Sequence, residues 1–413
     1  MASEHEGGRV EDDEPLANDS EDALESDATF DVISFKTVEE IEKSIVDSPF
    51  RAIYQTNNFL LPQIKDVIDE ARTVNLRPEY QRRARWTNKQ KSLLIESFLL
   101  NIPVPPIFLF EADFARYEVM DGQQRLLAIK EFFANQFKLS SLVVLDPLNK
   151  LTYGELPTRT KRTLERASLS AIVLLKESRA ALREASSSRV LELRRFVFER
   201  LNTGGKQLNA QELRNAVYSG EFNNGIIEIA RDPLFTRIWG IPPYSADYSD
   251  TDYESPERKK NNLYKTMGDC QIVLRFFALR NEDLVKGSMR SILDKCMERN
   301  LNIDVAKMEG MLREYRERLT LSDDLFDGHP FQLAPNTRPS ESMYDAVMVA
   351  VHKLWPQREA LLRVKIDIQG KYWSAINTPE KIEQFSGRAN TAGDVKQRIS
   401  SMVQLFEAAL QDA

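Results

Sequence analysis

A short, mainly apolar run, Tyr117-Glu-Val-Met120, meets an Asp121-Gly122 break. Beyond it Leu126, Ile129, Phe132 and Phe133 recur at a spacing of about 3.6 residues. The change of period predicts a strand, a tight turn and a helix in immediate succession. Phe59-Leu-Leu-Pro-Gln-Ile-Lys-Asp-Val-Ile68 reads as a short strand leading into a helix. Arg77 to Arg83 is extended, because Pro78 disfavours helix on its N-terminal side. Thr87-Asn-Lys-Gln90 is a capping box, and Leu93, Leu94, Ser97 and Phe98 carry its helix to Asn101. Pro103, Pro105 and Pro106 then forbid helix, and Ile107-Phe-Leu-Phe110 reads as a strand.

Beyond Asp146 helical periodicity dominates. Arg189 to Leu201 forms one helix, stopped by Asn202-Thr-Gly-Gly205. Asn209-Ala-Gln-Glu212 is a further capping box, opening a helix that ends at Gly220. Gln271 to Leu279 is apolar nearly all round and predicts a buried central helix. Val395, Ile399, Met402, Val403 and Phe406 mark a last amphipathic helix, while residues 243–263 read as a loop. The expected class is α+β: a small mixed α/β domain over residues 32–145, then a predominantly helical remainder. That remainder divides into a helical extension over 146–296, carrying the Asn-Thr-Gly-Gly turn, and a C-terminal helical bundle over 297–413.

Charge adds a further segment. Residues 1–31 hold twelve Asp or Glu against Arg9 alone, a net of −11, and the chain's total is −7, so the rest carries +4. With one aromatic, Phe30, those residues form an expected disordered acidic tail, either solvating or competing with a phosphate backbone for basic surface. A hydrophobic share of 42 % beside 29 % charged residues is globular composition, and no apolar run has the length of a membrane span. Two distant cysteines, Cys270 and Cys296, give neither a redox pair nor a disulfide framework. A reducing cytoplasm is the simplest location, with no membrane partner.

The candidate chemistry sits at the turn. A helix N-terminus presents backbone N–H groups and a positive dipole end to an anion. Asp121 as N-cap with Gln124 three residues on forms a capping box, so capping alone would account for the first residues of Asp121-Gly-Gln-Gln-Arg125. Arg125 does not fit that account. A cation in the first turn opposes the dipole by a few tenths of a kcal/mol, and a phosphate between them would remove the conflict. Residues 72–91 carry Arg72, Arg77, Arg82, Arg83, Arg85, Lys89 and Lys91 against Glu79 alone, with Tyr80 and Trp86 interleaved. Such a stretch suits phosphate contact and base stacking, or a solvated basic face. Metal and histidine chemistry is disfavoured: His5, His329 and His352 have no partner at ligand spacing, and His352 reads as a packed histidine. Gly204-Gly-Lys206 is no P-loop, since Gln207 stands where a magnesium-holding Ser or Thr belongs.

Taken together, Tyr80-Gln-Arg82, Trp86, Leu94-Ile-Glu-Ser97, Pro103-Val-Pro105, Asp121-Gly-Gln-Gln-Arg125, Phe198-Glu-Arg-Leu-Asn-Thr-Gly-Gly205, Leu208 and Glu212-Leu-Arg214 resemble the DGQQR-motif family. That is the N-terminal module of GmrSD-type modification-dependent restriction endonucleases. The resemblance runs from about Phe59 to Cys296 and implies a ParB/sulfiredoxin-like fold for residues 32–145. It implies a module that binds, and in some members hydrolyses, nucleoside triphosphates, coupled to a nuclease directed at foreign DNA. Carried over by position, Gln81, Arg82, Trp86, Gly122, Gln123, Gln124, Arg125, Asn202 and Gly205 would contact nucleotide. Asp121 and Arg125 would be catalytic, with Asp121 holding Mg2+ through a bound water.

The resemblance has one departure. Full enzymes of this kind carry a histidine-containing C-terminal nuclease domain, and residues 297–413 show no such motif. The expected function is therefore a nucleotide-binding, and on the resemblance NTP-hydrolysing, regulatory protein of a restriction or phage-defence system, working either with a separate nuclease subunit or through a divergent, histidine-free active site. The alternatives are a stand-alone DNA endonuclease using the same arginine site, and a non-catalytic interaction protein.

Overall fold

The computed structural model describes residues 54–67, 74–75, 86–175, 195–197, 200, 208–218, 220–244, 255–378, 384–386 and 391–412, with residues 37 and 42 besides. The acidic tail lies outside these residues, as does most of Arg189 to Leu201.

The first described run is strand β1, Tyr54–Leu60, passing directly into helix α1, Leu61–Val67. A two-residue strand β2, Val74–Asn75, precedes helix α2, Asn88–Leu99. Thr87 caps α2 as its sequence predicts: its hydroxyl accepts from the Gln90 N–H and the Gln90 side chain accepts from the Thr87 N–H. Strands β3, Ile107–Asp113, and β4, Arg116–Asp121, form a hairpin, and helix α3, Gln123–Phe133, leaves β4 after a single residue. Helix α4, Thr158–Arg166, then leads into strand β5, Ser168–Leu174.

The five strands make one mixed sheet in the order β1-β5-β3-β4-β2. β1 lies antiparallel to β5, β5 parallel to β3, β3 antiparallel to β4 and β4 parallel to β2. β5 comes from residues read in sequence as the start of the helical extension. Ser-Leu-Ser-Ala-Ile-Val-Leu is a short run of mixed character following a helix, and its buried Leu169, Ala171 and Val173 show the period of two that a half-covered strand requires.

That period also divides the sheet between two cores. Ile107 and Leu109 on β3, Val119 on β4 and Ala171 and Val173 on β5 face a core shared with Leu61, Ile64, Leu94, Ile95, Phe98, Leu126, Ile129, Phe132 and Leu164 of α1 to α4. Phe110, Met120 and Leu174 instead join the core of the helical region. The fold is thus α+β, with residues of β3, β4 and β5 buried in both cores.

The remainder is helical. Helix α5, Ala210–Val217, opens on the predicted Asn209 capping box; α6 is Glu221–Ile229 and α7 is Pro233–Ile238. The loop expected over 243–263 contains two short helices, α8, Pro256–Lys260, and α9, Asn262–Lys265, each started by a side-chain cap from Ser255 or Asn261. Those caps offset the polar composition that reads as loop. Helix α10, Gly268–Leu279, is buried on almost every side, as its apolar run predicts. Around it stand α11, Met289–Arg299; α12, Val305–Leu325; α13, Glu341–Lys353; α14, Arg358–Arg363; α15, Lys365–Ile376; and the amphipathic α16, Ala392–Gln411.

Polar pairs fix the register of these helices. Arg275 of α10 clasps the fully buried Asp345 of α13, Nε to Oδ1 at 3.0 Å and Nη2 to Oδ2 at 2.5 Å. His352 is indeed packed: its ring meets Phe276 edge-on, and its Nδ1 lies 3.1 Å from Glu314 of α12. No helix among the described residues is long and apolar enough to cross a membrane.

Candidate functional site

The β4–α3 connection consists of one residue, Gly122, in the left-handed region at φ 96°. An added Cβ would lie 2.3 Å from Ile107 Cγ2, so the turn needs glycine for its backbone and for its space. The strand extends one residue further than a capping box would allow. Asp121 is still part of β4, paired with Phe108 of β3. Gly122 is therefore the N-cap of α3, and no side chain caps that helix. The Asp121–Gln124 box predicted from sequence is not formed.

Both side chains of that box have other partners. Asp121 Oδ2 accepts from Arg125 Nη2 at 2.5 Å, one helical turn on. Gln124 Oε1 accepts the backbone N–H of Trp86 at 3.0 Å, which fastens the chain just ahead of α2 to the first turn of α3. Arg125 Nη2 also reaches the Pro106 carbonyl at 3.3 Å. Its Nε is buried and has no hydrogen-bond partner among the described residues. The guanidinium side chain is 14 % exposed and the Asp121 carboxylate 48 %, so the acid is the group that meets solvent. Gln123 is buried beneath the turn.

The platform behind the turn is rigid for identifiable reasons. Lys91 of α2 donates to Glu131 of α3 at 2.6 Å, locking the two helices side by side. Glu96 is buried and accepts the Leu145 N–H at 2.9 Å, while Ser92 Oγ accepts the Ser140 N–H at 2.9 Å. Both hold the 140–145 segment onto α2, a structural duty.

Of the residues singled out in sequence, Trp86, Asp121, Gly122, Gln123, Gln124 and Arg125 gather at this one turn. Gln81, Arg82, Asn202 and Gly205 lie outside the described residues. Two contributors were missed: the Pro106 carbonyl, which holds Arg125, and Ile107, which packs on Gly122. The signal for both was the Pro105-Pro106 pair, which ends all helix just before β3 and fixes an extended entry beside the turn.

In chemical terms the site pairs an uncapped helix start with a guanidinium held by Asp121 and the Pro106 carbonyl. An uncapped N-terminus favours an anion, and the Arg125 fork matches phosphate oxygens. The donor set for a metal is one half-exposed carboxylate. No group of three or more His, Cys, Asp or Glu that could hold an ion occurs among the described residues. A single carboxylate fits Mg2+ bound together with substrate phosphates and does not fit an all-protein metal cage.

Residues 64–219 match the family model described as GmrSD restriction endonuclease, N-terminal domain. No curated protein and no solved structure matches the chain. The matched span covers β2 to β5, the Gly122 turn and α5, so the resemblance read from the motifs holds over the residues that build the site.

Proposed function

We propose that this chain, whose residues 64–219 match the N-terminal domain of GmrSD restriction endonucleases, is a nucleotide-binding regulatory component of a restriction or phage-defence system. The observation that carries this reading is the start of α3. A helix whose N-cap is Gly122 has no side-chain acceptor of its own, and Arg125 stands beside it with a buried, unpartnered Nε among the described residues. Asp121 already pairs with one arm of Arg125, and the helix start without a side-chain cap suits a nucleotide's terminal phosphates. Trp86, tied to Gln124, would flank the bound base, and Arg82, four residues before Trp86, would add a second positive group.

Mg2+ fits beside Asp121, where its charge would offset that of the phosphates. The chain's own residues bind and orient: the first turn of α3 receives a phosphate, and Arg125 grips its oxygens as negative charge builds. The reading extends to a ParB/sulfiredoxin-like ancestry for the sheet domain and to coupling with a separate nuclease subunit acting on DNA.

The test is a thermal-shift screen of the four nucleoside triphosphates with and without Mg2+. Wild-type protein is expected to gain several degrees with at least one triphosphate. The Arg125→Lys variant, which keeps the charge and loses the fork, should lose most of that gain at nearly unchanged Tm. Wild type showing no shift with any triphosphate overturns the reading.

A further inference from the structure

Helix α4 shows a charge distribution that its packing does not explain. It buries a single side chain, Leu164. Its acid, Glu165, accepts from Tyr153 Oη at 2.8 Å, and Lys161 donates to the Gly154 carbonyl at 2.6 Å while lying over the Tyr153 ring. Those contacts seat the helix on the turn before it. Arg159, Arg162 and Arg166 are exposed, and none of their guanidinium groups has an ion pair or hydrogen-bond partner among the described residues.

The three are at helical intervals of three and four residues. At 3.6 residues per turn they fall within about 60° of arc and span about 10 Å of helix axis. Like charges at these spacings repel, and Arg159 adds a cation to the first turn, where the dipole is already positive. A helix face kept only for solubility would alternate charges and gain from their pairing. This one has three arginines in a line, of which only Arg166, in the last turn, is favoured by the dipole.

We infer that the exposed face of α4 is a docking surface for double-stranded DNA, with Arg159, Arg162 and Arg166 gripping successive phosphates of one strand. The match is one of charge and geometry. Arginine binds phosphate bidentately where lysine offers a point charge, and the 10 Å row exceeds the two 3.4 Å steps between three successive phosphates of a strand by about 3 Å, within the reach of an arginine side chain. The inference stands apart from the nucleotide reading, since no residue of the Gly122 turn takes part in it.

The experiment measures binding of the full chain to a fluorescent 20-base-pair duplex by anisotropy across 50–200 mM salt. The wild-type chain is expected to bind with a steep loss of affinity as salt rises. In Arg159→Ala/Arg162→Ala/Arg166→Ala the slope of log K against log salt should flatten by about 2.7, which is three phosphate contacts, with more than tenfold weaker binding at low salt. Because the side chains are exposed, Tm should hold; Arg162→Glu alone supplies a second variant, expected to weaken binding further than Arg162→Ala. The triphosphate-induced thermal shift should survive in the triple variant, which separates this surface from the nucleotide site. Absence of duplex binding by the wild type, or an unchanged slope in the triple variant, overturns the inference. So would equal binding, and equal loss on mutation, with poly-glutamate or an RNA duplex, either of which would assign the face to another partner.

Discussion

Gly122 shows how much one residue decides. Its φ of 96° ends β4 and starts α3 without an intervening loop, and its bare Cα leaves room for Ile107. Alanine there would carry left-handed strain of about 1–2 kcal/mol and overpacking of about 1–3 kcal/mol. Gly122→Ala should therefore lose about 2–5 kcal/mol of unfolding free energy in urea; a loss below about 0.5 kcal/mol would show that the turn relaxes around the methyl group. Asp121 and Gln124 illustrate the limit of local reading. Their spacing matches a capping box, yet one tertiary contact, the Trp86 N–H, claims Gln124, and the strand ladder keeps Asp121 out of the cap position.

At the scale of elements, the boundaries set by local chemistry were legible. The Thr87 and Asn209 capping boxes start α2 and α5 where sequence places them, because a cap is made within four residues of chain. Thr87→Ala removes the acceptor for the Gln90 N–H and should cost about 1 kcal/mol, while Thr87→Ser should be close to neutral. Equal losses in the two variants, measured by urea denaturation, would mean the hydroxyl does not cap the helix. Strand β5 was less legible. Seven residues of mixed character following a helix gain their identity from pairing with β1 and β3, more than 50 residues away in sequence. The short helices α8 and α9 were hidden for the opposite reason: their residues are polar enough for a loop, and only the Ser255 and Asn261 caps commit them to helix.

For the whole molecule, three helices meet at Glu314. Burial works against its ionisation, but the hydrogen bonds and charges of His352 and Arg280 outweigh that and bring its pKa down from 4.5 to about 2. A carboxyl depressed in the folded state contributes stability that is fully present above its unfolded value near 4.5 and is lost as pH falls towards 2. Chemical denaturation between pH 5 and about pH 2 should show falling stability in the wild type and a shallower fall in Glu314→Gln. Matching slopes would remove Glu314 from the acid transition. The same pairing joins α10, α12 and α13, so the clasp holds together the core against which Phe110, Met120 and Leu174 of the sheet are packed.

The sequence by itself determined the α+β class, the strand–turn–helix at Asp121 to Arg125, the buried central helix α10 and the resemblance that residues 64–219 bear out. Each of these rests on short-range periodicity, on capping chemistry or on a contiguous motif. Only the tertiary structure decided that Gly122 is the cap, that Arg125 is held by Asp121 and the Pro106 carbonyl, and that β5 belongs to the sheet. It alone turned Arg159, Arg162 and Arg166 into an exposed row by assigning Lys161 and Glu165 to Tyr153 and Gly154. The physical reason is common to all of them. A side chain's partner is set by which distant segments pack beside it, and neither period nor propensity carries that information.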